Sequence, residues 1–333
     1  MTALLDIRGL TTEFRVNGHW HAAIQDVNLS LAANETLAVV GESGSGKSVT
    51  ALSALRLLPQ AGARIARGEI LFEGRDLAKL SQRQMAKVRG DEIAMIFQEP
   101  MTSLNPTMTV GDQIAEVLMI HRGMSHGAAL KEARDLLDEV RVPDPGRRIT
   151  EYPHQFSGGM RQRAMIAIAL ACRPKVLLAD EPTTALDVTV QHQVLTLLDD
   201  LKRERGMGVI FITHNLGVVA QIADRVAVMY AGEIVETADC TRLFANPAHP
   251  YTEALLRAMP RVDRRADTLE PIPGSVPSIT ARPAGCHFAP RCGYVRPECG
   301  HHPALGPISG AGGSDHQARC ILRAKAEEAA WTV

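Results

Sequence analysis

The stretch "TLAVVGESGSGKSVTALSALRLL", Thr36–Leu58, passes from an unbroken apolar run through a Gly/Ser loop into a segment of helical spacing. The apolar run reads as a buried strand, and the loop sits where a strand hands over to a helix. Within it, "GESGSGKS" (Gly41, Glu42, Ser43, Gly44, Ser45, Gly46, Lys47, Ser48) fits the phosphate-loop pattern, with both glycines, the lysine and the serine in place. The chemistry follows from the residue types. Glycines let the backbone wrap closely, its N–H groups face phosphate oxygens, and a helix N-terminus favours an anion. Lys47 brings a positive charge to the β- and γ-phosphates, and the Ser48 hydroxyl is a ligand for Mg²⁺. A Gly/Ser loop can match by chance; a strand before it and a helix after it are the context the motif requires.

Outward from this loop, strands and helices alternate. Residues 3–16 and 27–40 read as strands, as do "GEILFEG" (68–74) and "DEIAMIFQ" (91–98). Helical spacing dominates from about 109 to 172, before another buried strand, "KVLLAD" (175–180). A helix over 189–205, a strand "GVIFITH" (208–214), a helix to 223 and two short strands turning at Ala231–Gly232 complete the pattern. Such alternation predicts an α/β core on a parallel sheet, with the helical stretch of about 99–174 as an inserted subdomain. Prolines cluster after 245, so residues 1–245 and 246–333 are expected as separate domains.

The 333 residues are 45% apolar and 22% charged, ordinary for a globular chain, with a formal net charge of −1. No global positive field recruits nucleic acid. No apolar run reaches 18 residues. The N-terminus, with Asp6 and no basic region before a long apolar run, carries no readable secretory signal, so a cytoplasmic chain with reduced cysteines is expected.

Three further stretches match the phosphate loop. "KVLLADEP" ends a strand in Asp180, positioned for Mg²⁺, and Glu181, positioned to orient or deprotonate an attacking water. Alone, a strand ending in solvated acids is commonplace; with a phosphate loop upstream it becomes a partner site. "FSGGMRQR" (156–163) puts Ser157, Gly158 and Gly159 at a helix start, a second exposed anion site. Either it is a plain helix cap, or it serves a nucleotide held by another chain. His214 ends a strand, where a lone histidine is usually structural.

Together these residues resemble the ATP-binding subunits of ABC transporters over residues 1 to about 240. Lys47 and Ser48 match the Walker A loop, Asp180 and Glu181 the Walker B end, Gln98 the Q-loop and Ser157–Gly159 the signature. "TALD" (184–187), with Asp187, matches the D-loop, and His214 the switch histidine. The resemblance implies a RecA-like P-loop core with an antiparallel β subdomain and an inserted helical subdomain. It further implies a head-to-tail dimer, ATP between the Walker A loop of one subunit and the signature helix of the other. Glu181 is then the general base, His214 contacts the γ-phosphate, and Gln98 senses it. Ser48, Gln98 and Asp180 are the implied Mg²⁺ ligands. An aromatic residue stacks on adenine in this family; Phe14 is the candidate here and Trp20 the second choice. Phe156 and Met160 depart from the commonest signature, yet the Ser-Gly-Gly donors remain. A soluble ABC ATPase acting on nucleic acid fits poorly with one phosphate loop and near-neutral charge. A non-hydrolysing regulator fits poorly with Glu181 and His214.

"FQEPMTSLNPTMTVGDQI" (97–114), "NPAHPYTEALLRAMP" (246–260) and "IPGSVPS" (272–278) are similar to the ATPase subunits of oligopeptide/dipeptide importers, whose relatives carry nickel or other small solutes. That resemblance covers nearly the whole chain. It implies a second, non-identical ATPase, two membrane permeases and an extracytoplasmic binding protein as partners, on the cytoplasmic face of the bacterial inner membrane.

The tail holds Cys286, Cys292, Cys299 and Cys320, spaced by five, six and twenty residues. Four thiols in Pro/Gly-rich chain suggest a metal centre stapling a segment with little apolar core. Structural zinc favours closer C-x₂₋₄-C pairs, although His287, His301, His302 and His316 lie nearby. A [4Fe–4S] cluster tolerates wider spacing, and free thiols remain the third alternative. Some relatives with this kind of tail hold a [4Fe–4S] cluster, so the resemblance implies one on these four cysteines, with a structural or redox-regulatory role.

Overall fold

The computed structural model describes residues 3–98, 103–184, 186–259, 271–308 and 316–322. Residues 99–102 at the start of the helical insertion, Ala185 of the D-loop stretch and Pro260 lie outside the described residues. The chain divides into two compact units, Met1–Leu4 with Leu31–Glu35 and Lys79–Phe211, and Leu5–Ser30 with Thr36–Ala78 and Ile212–Val333.

The unit carrying the phosphate loop holds an antiparallel sheet ordered His19–Leu31, Leu5–Val16, Ala63–Phe72, Arg75–Asp76. Asn17 and Gly18 turn its first hairpin with φ of 51° and 84°, the two positive values that a tight hairpin turn of the matching twist demands. In the same unit Thr36–Val40 is buried at every residue and runs parallel to Arg225–Tyr230. Burial on both faces explains its unbroken apolar sequence. Glu233–Asp239 returns antiparallel to Arg225–Tyr230 through Ala231–Gly232. Gln317–Ala318, from the tail, adds to Glu236–Thr237 and pairs with Gly306–Pro307. One core joins Val40, Val228, Tyr230 and Leu243 to Tyr251 and Phe288, so the tail shares the core of the strands it packs on.

The other unit is mostly helical. Val110–Arg122 starts at Thr109, whose hydroxyl accepts the Asp112 N–H, and stops at left-handed Gly123. His126–Glu139, Gly158–Leu170 and Val188–Arg205 follow. Ile93–Ile96 and Val176–Asp180 form a parallel pair. Expected and observed bounds agree closely for Val176–Asp180, Gly208–Thr213 and Arg225–Tyr230. The single strand expected over 27–40 is instead two strands, Leu31 and Thr36 bounding a turn. Asn34 takes φ 59° there, and the Glu35 carboxylate accepts the Ala32 N–H at 2.6 Å. A side chain bonding its own backbone in this way competes with the strand ladder and ends it.

Candidate nucleotide site and tail cavity

Strand Thr36–Val40 delivers the loop of 41–46 to helix Lys47–Ala54. Gly41 sits at φ 154°, and a Cβ there would lie 2.2 Å from the Met229 carbonyl oxygen, so only glycine passes. Gly46 caps the helix at φ 109°. The Gly232 N–H donates to the Ser45 carbonyl at 2.7 Å, tying the loop to the turn after Arg225–Tyr230. Lys47 is 6% exposed, and its Nζ donates to the carbonyls of Gly41 (2.7 Å) and Glu42 (3.0 Å). The ammonium is therefore held across the mouth of the loop. Among the described residues Ser45 Oγ is buried without a hydrogen-bond partner. A buried hydroxyl of that kind is unfavourable unless something supplies its partner. Ser43 and Gly44 face solvent, and Ser48 is half-buried one position into the helix. In this unit His214 is exposed just beyond Gly208–Thr213, where Asn215 caps the next helix. Phe14 is half-buried beside Ala63, whereas Trp20 is 37% exposed with the Arg64 guanidinium 4.3 Å over its ring.

The other unit assembles its own set. Asp180 closes an all-buried strand and is 5% exposed. Glu181 follows in the left-handed region at φ 47°, unusual for a non-glycine residue and found where geometry is over-determined. Its Oε2 accepts from Gln98 Nε2 at 3.0 Å and from Thr184 Oγ1 at 2.9 Å. Gln98 and Glu181, far apart in sequence, are thus brought together. Ser157 caps helix Gly158–Leu170 by accepting the Met160 N–H at 3.3 Å, with Ser157 and Gly158 exposed. A Cβ on Gly159 would meet Val190 Cγ1 at 2.7 Å. Asp187 caps Val188–Arg205 through the Val190 N–H at 2.9 Å. A serine hydroxyl, a carboxylate and a glutamine carbonyl (Ser48, Asp180, Gln98) are the hard oxygen donors that Mg²⁺ takes.

The four tail cysteines all line one cavity. Backbone N–H groups donate to two of their sulfurs, Tyr294 to Cys292 and Leu322 to Cys320, each at 3.4 Å. Burial raises the thiol pKa of Cys286 and Cys292 and pushes that of Cys320 up to about 11. These thiols keep their protons near neutrality, so a metal taking them must displace the protons. One contact had no reading in the sequence: Arg291 and Tyr251, both from the tail, bond Glu42 of the phosphate loop. Glu233, His287 and His302 bring ligand atoms within 4.8 Å of one another. The two histidines of this group are among those the sequence offers as metal ligands, and Glu233 is the member it did not single out.

A strand-borne phosphate loop, an acidic strand end and a serine-capped Gly-Gly helix define the class, an ATP-binding cassette of the P-loop fold. Comparison with known proteins carries this to the family. The model described as ABC transporter matches residues 24–184, and the one described as oligopeptide/dipeptide transporter, C-terminal region, matches residues 235–299. A protein of Brucella melitensis named a peptide import ATP-binding protein is 52% identical over 329 residues, 96% of each chain. A Brucella suis protein of the same name is 51% identical over 325 residues, 98% of this chain and 96% of that one. Among solved structures, the ATP-binding cassette MJ0796 in a dimeric, post-hydrolysis state with ADP and Pi superposes with a TM-score of 0.64 at 28% identity, over 71% of this chain and 98% of the other. The chain belongs to the ABC transporter ATPases that carry the oligopeptide/dipeptide C-terminal region.

Proposed function

We propose that this ATPase is the motor of a peptide importer, working against a second, non-identical ATPase beneath two membrane permeases supplied by an extracytoplasmic binding protein. The C-terminal match over residues 235–299 and the names of the Brucella relatives support peptide as the solute. Among the described residues no helix is long and apolar enough to cross a membrane. Attachment to the cytoplasmic face of the inner membrane then falls to the permeases.

The observation carrying the catalytic assignment is the Glu181 carboxylate held by Gln98 at 3.0 Å and Thr184 at 2.9 Å. A carboxylate fixed at the end of a buried strand is suited to accept the proton of a water attacking the γ-phosphate. Lys47 and the loop N–H groups of 41–46 bind and orient the β- and γ-phosphates; Ser157, Gly158 and Gly159 do so for the nucleotide of the opposing subunit. His214 orients the γ-phosphate, Asp187 braces the facing subunit, and Phe14 stacks on adenine. Ser48, Asp180 and Gln98 would hold a Mg²⁺ ion, which would supply positive charge against the phosphates. Replacing the base tests the assignment. Glu181→Gln should retain ATP binding while turnover falls by roughly 10²-fold or more. Undiminished hydrolysis would remove Glu181 from the role.

For the tail we assign a [4Fe–4S] cluster to Cys286, Cys292, Cys299 and Cys320. Their common cavity and the N–H donors on the sulfurs support it, since hydrogen bonds to sulfur tune such clusters. Anaerobically purified protein should be brown, carry about four irons and lose both in Cys286→Ser. Colourless protein with one zinc, or with no metal, would overturn the cluster.

A further inference from the structure

The second residue of the phosphate loop is an acid. A carboxylate at Glu42 lies beside a site built for polyanionic phosphate, where its field opposes the ligand. Glu42 does not stand alone. Arg291 reaches it with a two-pronged contact, Nη1 to Oε2 at 2.7 Å and Nη2 to Oε1 at 3.0 Å. The Arg291 side chain is 5% exposed and that of Glu42 30%. The Glu42 backbone is held from the same side, its N–H donating to the Tyr251 hydroxyl at 2.8 Å. These partners lie 249 and 209 residues away in the chain.

Both partners are themselves fixed. Arg291 Nε donates to the Pro273 carbonyl at 2.7 Å, and its guanidinium lies over the rings of Tyr230 (5.7 Å) and Phe288 (5.9 Å). Phe288 packs edge-on to Tyr230 with centroids 5.2 Å apart, and Tyr251 is fully buried against both. A planar guanidinium clamped by a carbonyl and two aromatic faces presents a rigid fork to one carboxylate.

From this we infer that Arg291 and Tyr251 are positioning residues of the nucleotide site: the tail holds Glu42, neutralises it and so keeps the phosphate loop open to ATP. Arg291 touches neither substrate nor reacting atoms; it acts through Glu42. With the fork removed, an unpaired negative charge faces the incoming phosphates and the loop loses a brace at its second residue. The charge component makes a distinctive demand. Removing the carboxylate as well should recover part of what removing the arginine lost.

The test is binding of a fluorescent ATP analogue to the full-length protein, alongside its melting temperature. Arg291→Ala should weaken binding on the order of ten-fold, given the strength of a forked charged pair. The double variant Arg291→Ala/Glu42→Gln should bind more tightly than Arg291→Ala alone. Arg291→Lys, which keeps the charge and loses the fork, should fall between native and Arg291→Ala, and it serves if the alanine variant does not fold. KM for ATP should rise more than kcat falls. Unchanged analogue affinity in Arg291→Ala or Arg291→Lys would reduce Arg291 to packing, as would a double variant no better than the single one. The inference rests on the ATPase reading, but the two fail differently: a native chain that binds no analogue defeats that reading, whereas native binding that is indifferent to Arg291 defeats only this one.

Discussion

His249 is 2% exposed, and its Nδ1 accepts the Tyr251 N–H at 3.1 Å, capping helix Pro250–Arg257. That hydrogen bond requires an unprotonated Nδ1. Burial, with the nearby Arg319 charge adding to it, lowers the pKa from 6.5 to about 3. The unfolded chain therefore takes up a proton that the folded chain refuses through this window. Stability from this residue is complete above about pH 6.5 and is lost as pH falls toward 3, by up to about 1.4 kcal/mol per pH unit. Urea unfolding of the native chain and of His249→Asn, which can still cap, should separate the two. Between about pH 6.5 and about pH 4.5 the native chain should lose roughly 2 kcal/mol more than the variant. Equal losses would show that His249 is not the group responsible.

At the scale of elements, much of the nucleotide site is written in local sequence. A buried parallel strand must be apolar throughout, and a phosphate loop must be glycine-rich, so Thr36–Ser48 carries its fold and its chemistry in residue types alone. The caps at Ser157 and Asp187 are equally local, because a capping side chain reaches only two or three residues ahead. The strand His19–Leu31, which the reading of strands over 3–16 and 27–40 omits in its first half, also had a local signal: Asn17-Gly18 is the strongest short-range hairpin pair, and it sets the turn between Leu5–Val16 and His19–Leu31. The tail is different. Its strands Gly306–Pro307 and Gln317–Ala318 are two residues long, too short for any alternation to register. They exist because Glu233–Asp239 offers an edge, which is a property of the fold and not of the tail's sequence. The pairing of Gln98 with Glu181 likewise needs the parallel contact of Ile93–Ile96 with Val176–Asp180 to bring two strand ends level.

At the scale of the whole chain, residues distant in sequence are tied by buried charge. Glu236 is 0% exposed. Its Oε1 accepts from the Ala248 N–H and His316 Nε2, and its Oε2 from the His249 N–H, all at 2.8 Å. One carboxylate thus joins a core strand, the start of helix Pro250–Arg257 and the tail strand that pairs beside it. Burying an ion is unfavourable in itself, so the energetic content lies in what removal leaves behind: two buried N–H groups and a histidine without their acceptor. Glu236→Ala should destabilise this unit by about 3–5 kcal/mol. Glu13→Ala, which breaks the exposed pair with Arg64, should cost less than about 1 kcal/mol. Native-state hydrogen exchange distinguishes a local knot from a general loss. Protection of the Tyr251 amide, bonded to the capping His249, and of the Arg319 amide, bonded to the Val235 carbonyl, should fall together in Glu236→Ala. The Val39 and Val40 amides of the buried phosphate-loop strand should keep theirs to a greater degree. If Arg319 alone lost protection, the carboxylate would be holding only the tail strand, and the helix that carries Tyr251 to the phosphate loop would owe its place to packing instead.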